Sequence, residues 1–213
     1  MKNSAEELNI VAQQVAVCTR CKLHYSRKLA VPGEGPPDAS IMFIGEGPGF
    51  HENEQGRPFV GAAGKLLDEL LNNIGMQRSE VFITNIVKCR PPGNRDPEQE
   101  EIETCDPYLE RQIQAINPRV IVTLGRYSMA RFMPNAKISA VHGQAVNVKG
   151  RLVVAMYHPA AALHQQSLRS VIEDDFAHLP DLISKADSKP EMETEESTAE
   201  QPNKVEPKQL SLF

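Results

Sequence analysis

Residues 41–61 read IMFIGEGPGFHENEQGRPFVG, and the change of character inside this stretch decides the fold. Ile41-Met42-Phe43-Ile44 is apolar on both faces, as a strand buried in a parallel sheet is. Residues 45–59 are polar, acidic and glycine-rich, and beyond them Leu66, Leu67, Leu70, Leu71 and Ile74 recur at helical spacing. A strand that delivers such a loop at its carboxyl end and then passes into a helix is the usual position for ligand chemistry in an α/β fold. A loop that needed only solubility would have no use for Phe50, Phe59, Pro48 and Pro58 among its glycines.

Working outward, three further short apolar runs at 81–83, 120–124 and 152–155 read as buried strands, with helical patterns between most of them. The order is close to βαβαβαβ. It predicts an α/β fold, a three-layer α/β/α sandwich around a four-stranded, mostly parallel sheet. The strand ends carry Gly45-Glu46, Thr84-Asn85, Gly125-Arg126 and Tyr157-His158. Parallel strands bring such ends to one rim, so Glu46, Asn85 and His158 are expected to converge. An amphipathic helix over 3–17, with Leu8, Val11, Ala12 and Val15 on one face, leads into Cys18-Thr19-Arg20-Cys21. Residues 31–37 form a proline-bearing connector without regular structure, and KCRPPGNRD at 88–96 is a proline-broken basic loop. Asp96-Pro97-Glu98-Gln99 supplies an N-cap, a first-turn proline and a capping-box residue for the next helix. Asp106-Pro107 repeats that signal, which predicts a break or kink at Cys105 and a restart through Leu109, Ile113 and Ile116. A last helix spans 167–184, with Leu168, Val171, Ile172, Phe176 and Leu179 inward.

A chain of 213 residues can bury one substantial core, assigned here to residues 1–185. The net charge of −5 is concentrated in 186–213, where seven acids face three lysines, so the folded part is near neutral and can still present a basic face. That tail is too acidic and too poor in apolar residues to offset the entropy of ordering, and it is expected to be disordered. No apolar run is long enough to span a membrane and the amino terminus lacks a secretory pattern, so a cytoplasmic protein with no membrane partner is expected. In a reducing compartment Cys18, Cys21, Cys89 and Cys105 point to metal rather than to disulfides. Four thiolates suit tetrahedral zinc or an iron-sulfur cluster equally well, and either would staple the amino-terminal helix to the loop beside the second strand.

Taken together, GEGPG at 45–49 with Glu52, GRPFVG at 56–61, ITNIVKCRPP at 83–92, HPAA at 158–161 and the four cysteines resemble the family 4 uracil-DNA glycosylases, the iron-sulfur branch of that superfamily. The likeness runs over about residues 8–180, and the motifs are specific as an ordered set where one alone would be weak. It implies a [4Fe-4S] cluster on Cys18, Cys21, Cys89 and Cys105. It also implies an enzyme of base excision repair that flips uracil out of DNA and hydrolyses its glycosidic bond, acting as a monomer near the nucleoid.

On this resemblance Phe59 stacks on the flipped base and Asn85 reads it, giving a hydrogen bond to O4 and accepting one from N3–H. Cytosine presents the opposite pattern and would leave buried groups unpaired, at about 1–3 kcal/mol each. His158 reaches O2 and steadies the departing uracil anion. Glu46 is the carboxylate for water, Gly47 lets backbone face O2 where better-known uracil glycosylases carry an aspartate, and Glu52 lines C5 against the thymine methyl. After HPAA the family shows two leucines and an arginine. Here Ala162, Leu163 and His164 follow, so the wedge that fills the emptied stack falls to Leu163. Lys88, Arg90, Arg95 and Arg169 are the expected phosphate contacts.

The final residues Gln209, Leu210, Ser211, Leu212 and Phe213 resemble the bacterial motif that binds the polymerase sliding clamp, a short apolar peptide suited to a groove. A competing reading is a non-catalytic iron-sulfur carrier, which would have no need of Phe59, Asn85 and His158 together.

Overall fold

The structure is a computed structural model that describes residues 4–187; the Gln209, Leu210, Leu212 and Phe213 motif and nearly all of the acidic tail lie outside the described residues. Helix α1 (Ser4–Val17) precedes strand β1 (Ile41–Gly45), α2 (Phe50–Gln55), α3 (Ala62–Asn73), β2 (Phe82–Asn85) and α4 (Gln99–Ile116). Then come β3 (Val120–Leu124), α5 (Arg126–Ala130), α6 (Ile138–Val141), β4 (Gln144–Val148), β5 (Arg151–Met156), α7 (Pro159–His164) and α8 (Ser167–Asp187). The sheet order is β2-β1-β3-β5-β4, with β2, β1, β3 and β5 parallel.

Alternation along the buried strands sorts the core into two layers. Phe43, Ile83, Val122 and Val154 face α3, α7 and α8 through Leu66, Leu67, Leu70, Ala162, Ile172 and Phe176. Met42, Ile44, Phe82, Ile121 and Val153 face α4 through Leu109, Ile113 and Ile116. Each fully buried aliphatic or aromatic side chain contributes about 1.5–3 kcal/mol. Helix α1 adds an outer layer, placing Val11 and Val15 against Tyr108 of α4 and pairing Glu7 with Arg111 at 2.7 Å.

The α/β sandwich is as expected, with three local differences. A fifth strand, β4, pairs antiparallel with β5 at the sheet edge. Its QAVNV sequence is half exposed, so it lacks the continuous apolar character of the four parallel strands. The Lys149-Gly150 turn that makes the hairpin has positive φ at both residues, 52° and 79°, as a two-residue hairpin turn of this hand requires. Second, α4 starts later than read: its N-cap is Glu98, with Glu101 completing the capping box, and Asp96 is left free for another task. Third, α4 does not break at Cys105. It runs through Pro107 in one piece. An interior proline costs about 3 kcal/mol, here offset by the buried face Tyr108, Leu109, Ile113 and Ile116 and by Arg131, which bonds Asp106 at 2.5 Å and Glu110 at 2.6 Å.

Candidate active site

The carboxyl ends of β1, β2, β3 and β5 form one rim. A cleft of about 450 Å³ opens there, lined by Glu46, Gly47, Glu52, Phe59, Asn85 and His158, with Asn94, Arg95, Asp96 and His164 at its margins. The volume lies within the range of small-molecule sites. A larger cleft of about 580 Å³ between α4, α5 and the β4–β5 hairpin contains none of the residues that the strand ends bring together.

Asn85 is the last residue of β2 and 1% exposed, and its Oδ1 is buried without a hydrogen-bond partner among the described residues. A buried orphan acceptor costs about 1–3 kcal/mol unless a ligand supplies its donor. Beside it lies the Phe59 ring. Gly45 makes the pairing possible, because a Cβ there would stand 2.4 Å from Asn85 Oδ1 and 2.7 Å from the Phe59 ring. Phe59 adopts φ 49°, an unfavourable conformation for a bulky residue of the kind that collects at functional sites. Three devices hold it. The Arg78 guanidinium donates to the Phe59 and Pro58 carbonyls at 3.1 and 2.5 Å, while also pairing with Asp68. Glu52 Oε1 accepts from the Val60 and Gly61 N–H groups at 2.8 Å each. Gly64 lets α3 begin directly against the Phe59 carbonyl.

His158 caps α7 and faces Phe59, the ring centroids 5.4 Å apart and nearly parallel. Its Nδ1 accepts from Ala160 N–H at 3.1 Å, which assigns the proton of the neutral ring to Nε2. Burial lowers its pKa to about 4, so the ring is neutral and Nε2 is a donor at physiological pH. Glu46 experiences the opposite effect: burial and, secondarily, the negative charge of Asp96 raise its pKa to about 7. Gly47 is tightly packed, since a Cβ would lie 2.9 Å from Val87 Cγ2. A side chain there needs Val87 to move.

The Uracil DNA glycosylase superfamily model matches residues 32–179. The type-4 uracil-DNA glycosylase of Saccharolobus solfataricus is 50% identical over 189 residues, covering 84% of this chain and 88% of that protein. That of Thermotoga maritima is 43% identical over 190 residues, covering 87% and 99%. The type-5 uracil-DNA glycosylase of Thermus thermophilus is more distant, at 32% over 149 residues, 60% of this chain and 68% of the relative. The chain belongs to the uracil-DNA glycosylase superfamily.

In this glycosylase the four cysteines gather around one small hollow between the end of α1, α4 and the loop after β2, together with Arg27, Lys88 and Tyr108. Arg27 donates to Cys89 Sγ and the Lys88 backbone N–H to Cys105 Sγ, each at 3.3 Å. Sulfurs that accept N–H bonds in a shared hollow fit a four-thiolate group. Among the described residues, no three His, Cys, Asp or Glu side chains are disposed as a metal-ion site. Burial raises the thiol pKa values of Cys21, Cys89 and Cys105, that of Cys105 to about 11, so taking up metal displaces protons.

Among the DNA contacts expected from sequence, Lys88 must be corrected. It is 1% exposed, and its Nζ donates to Thr84 Oγ1 at 2.6 Å, Asn85 O at 2.8 Å and Gln112 Oε1 at 2.7 Å. No phosphate can reach it. A lysine in a basic loop looks like a surface charge in sequence, and the acceptors that enclose it come from residues up to 24 positions away. Arg90, over the Phe50 ring at 5.5 Å, and Arg169, paired with Glu173 at 2.9 Å, stand outside the cleft, as does Leu163, which is 48% exposed on α7. Sequence reading missed Arg78, Gly64 and Asp96. The paired glycines at 61 and 64, flanking a helix start, were the available signal for the close approach at Phe59.

Proposed function

We propose that this protein excises uracil from DNA as a monofunctional glycosylase, leaving an abasic site for base excision repair. The observation that carries this reading is the buried, unpartnered Oδ1 of Asn85 beside the Phe59 ring. Extruding a nucleotide costs a few kcal/mol of stacking. Stacking on Phe59 offsets part of it, and Leu163 fills the gap in the duplex. Asn85 Oδ1 accepts from uracil N3–H and its amide donates to O4, a match that cytosine cannot make. Glu52 closes the C5 side against a methyl group. As the bond from N1 to C1′ lengthens, negative charge moves onto O2, where His158 Nε2–H donates to it. A neutral donor in a dry cleft stabilises that charge without having to surrender a proton. Glu46, once ionised, accepts the proton of the water whose oxygen bonds to C1′, completing hydrolysis. Arg90, Arg95 and Arg169 engage flanking phosphates.

Cys18, Cys21, Cys89 and Cys105 would hold a [4Fe-4S] cluster, whose contribution when bound is to cross-link α1, α4 and the loop after β2. The Gln209, Leu210, Leu212 and Phe213 motif would deliver the enzyme, as a monomer at the nucleoid, to the sliding clamp of replication. The test is incubation of anaerobically purified protein with a uracil-containing oligonucleotide, followed by alkali. Strand scission at uracil alone is expected, and intact strands would refute the assignment. A brown protein absorbing in the visible is expected for the cluster; active, colourless protein would exclude it.

A further inference from the structure

Two side chains at this site have no role so far. Arg126 stands at the one strand terminus of the four whose chemistry the mechanism does not use, and Asp96 reads in sequence as a helix cap but caps nothing. Because β3 lies next to β1, Glu46 directly after β1 and Gly125-Arg126 directly after β3 emerge on the same part of the rim. Arg126 donates to the Asp96 carboxylate and lies over the Tyr127 ring, 4.8 Å from its centroid. The same guanidinium also donates to the Tyr127 hydroxyl at 3.3 Å. Asp96 thereby lines the cleft that contains Glu46, and no hydrogen bond holds the Glu46 carboxylate among the described residues.

We propose that Asp96 and Arg126 are positioning residues for the glycosylase reaction: held by one another at the rim, they set the charge that the Glu46 carboxylate meets, and with it the pH range in which that carboxylate serves as base. This rests on the reading of Glu46 as the water-handling group. The other charged or titratable groups around the cleft are Glu52, Arg95, His158 and His164. Glu52 on α2 accepts from Val60 and Gly61 N–H, Arg95 is bonded to Glu101 at 2.7 Å, and His158 is neutral, while His164 stands at the margin on α7. Of these groups only Asp96 and Arg126 act on Glu46 beyond its own burial, Asp96 favouring the acid and Arg126 the carboxylate. Both are more than half exposed, so water and salt screen them. Each is therefore expected to move the ionisation of Glu46 by a fraction of a pH unit.

The measurement is kcat/KM for uracil excision from pH 5 to 9, each enzyme scaled to its own high-pH plateau so that loss of rate alone does not move the midpoint. The parent enzyme should lose activity on the acid side with a midpoint near 7. Asp96→Asn should shift that limb to lower pH, so that at pH 6 the scaled activity rises about threefold, the effect of half a pH unit. Arg126→Gln should shift it to higher pH, with a fall of similar size. Raising the salt concentration should shrink both differences. Unmoved midpoints in both variants, or shifts of the same sign, overturn the proposal. Glu46→Gln separates the two levels: if its acid limb persists, the assignment of Glu46 fails, whereas if the limb vanishes and the Asp96 and Arg126 variants match the parent, the pair alone fails.

Discussion

At the scale of single residues, the cleft works through two opposite responses to the same burial. His158 becomes harder to protonate and Glu46 harder to ionise, which yields a neutral donor and, on the proposed mechanism, a base tuned near neutrality from groups that in water would differ by two units. The neutral histidine has a consequence for stability. Its pKa is 6.5 when exposed and about 4 when folded, so between those values the unfolded chain takes up a proton that the folded one refuses. Stability therefore falls as pH drops from 6.5 to 4, by about 3 kcal/mol in full. Urea unfolding at several pH values should show a flatter slope in this window for His158→Gln; an unchanged slope would mean that the ring is not buried neutral. Asn85 tests specificity at the same scale. Asn85→Asp replaces the amide donor with an acceptor, so uracil excision should fall by about 10²–10³-fold while cytosine gains a first measurable rate. Unaltered uracil excision would remove Asn85 from the base site.

At the scale of elements, the start of α3 is what fixes Phe59, the proposed stacking face. A Cβ on Gly64 would lie 1.9 Å from the Phe59 carbonyl oxygen and 2.1 Å from its carbon, and backbone cannot yield as a side-chain tip can. Gly64→Ala should cost about 1–3 kcal/mol or more in stability and displace Phe59, lowering excision well beyond what the fall in melting temperature explains. Normal activity in a stable variant would show that the helix start does not set the ring. This element also shows what sequence could and could not reveal. The parallel strands were legible because burial on both faces leaves an unbroken apolar run, and their topology alone predicted that Glu46, Asn85 and His158 would meet. The edge strand β4 escaped because one face is wet and its residues do not declare themselves. Pro107 misled because local propensity predicts a break that a buried face and the Arg131 ion pairs override. Lys88, Asp96 and Arg78 were illegible for a common reason, their partners being 24, 30 and up to 20 residues away.

At the scale of the molecule, the cysteine hollow and the rim proposed to read the base are two sites linked through Lys88. Cys18 follows the end of α1 and packs against the outer layer formed by Val11, Val15 and Tyr108, while Cys21 packs with Leu23, Val87 and Cys89. Cys105 differs, because its sulfur accepts from Lys88 N–H, and the Lys88 ammonium in turn donates to the Asn85 carbonyl and to Gln112, whose amide holds Pro32 at 2.7 Å. Loss of a ligand should thus have a shared effect and a private one. On the proposed cluster ligation, Cys18→Ala and Cys105→Ala should both lose the visible chromophore and melt at lower temperature, since each opens the same cross-link. Cys105→Ala should in addition loosen Lys88 and the end of β2, with a further fall of about tenfold in kcat/KM for uracil when both variants are assayed well below their melting points. The comparison is internal, so it does not depend on how much either variant is destabilised. Equal kcat/KM values would show that the cysteines support the fold without reaching Asn85.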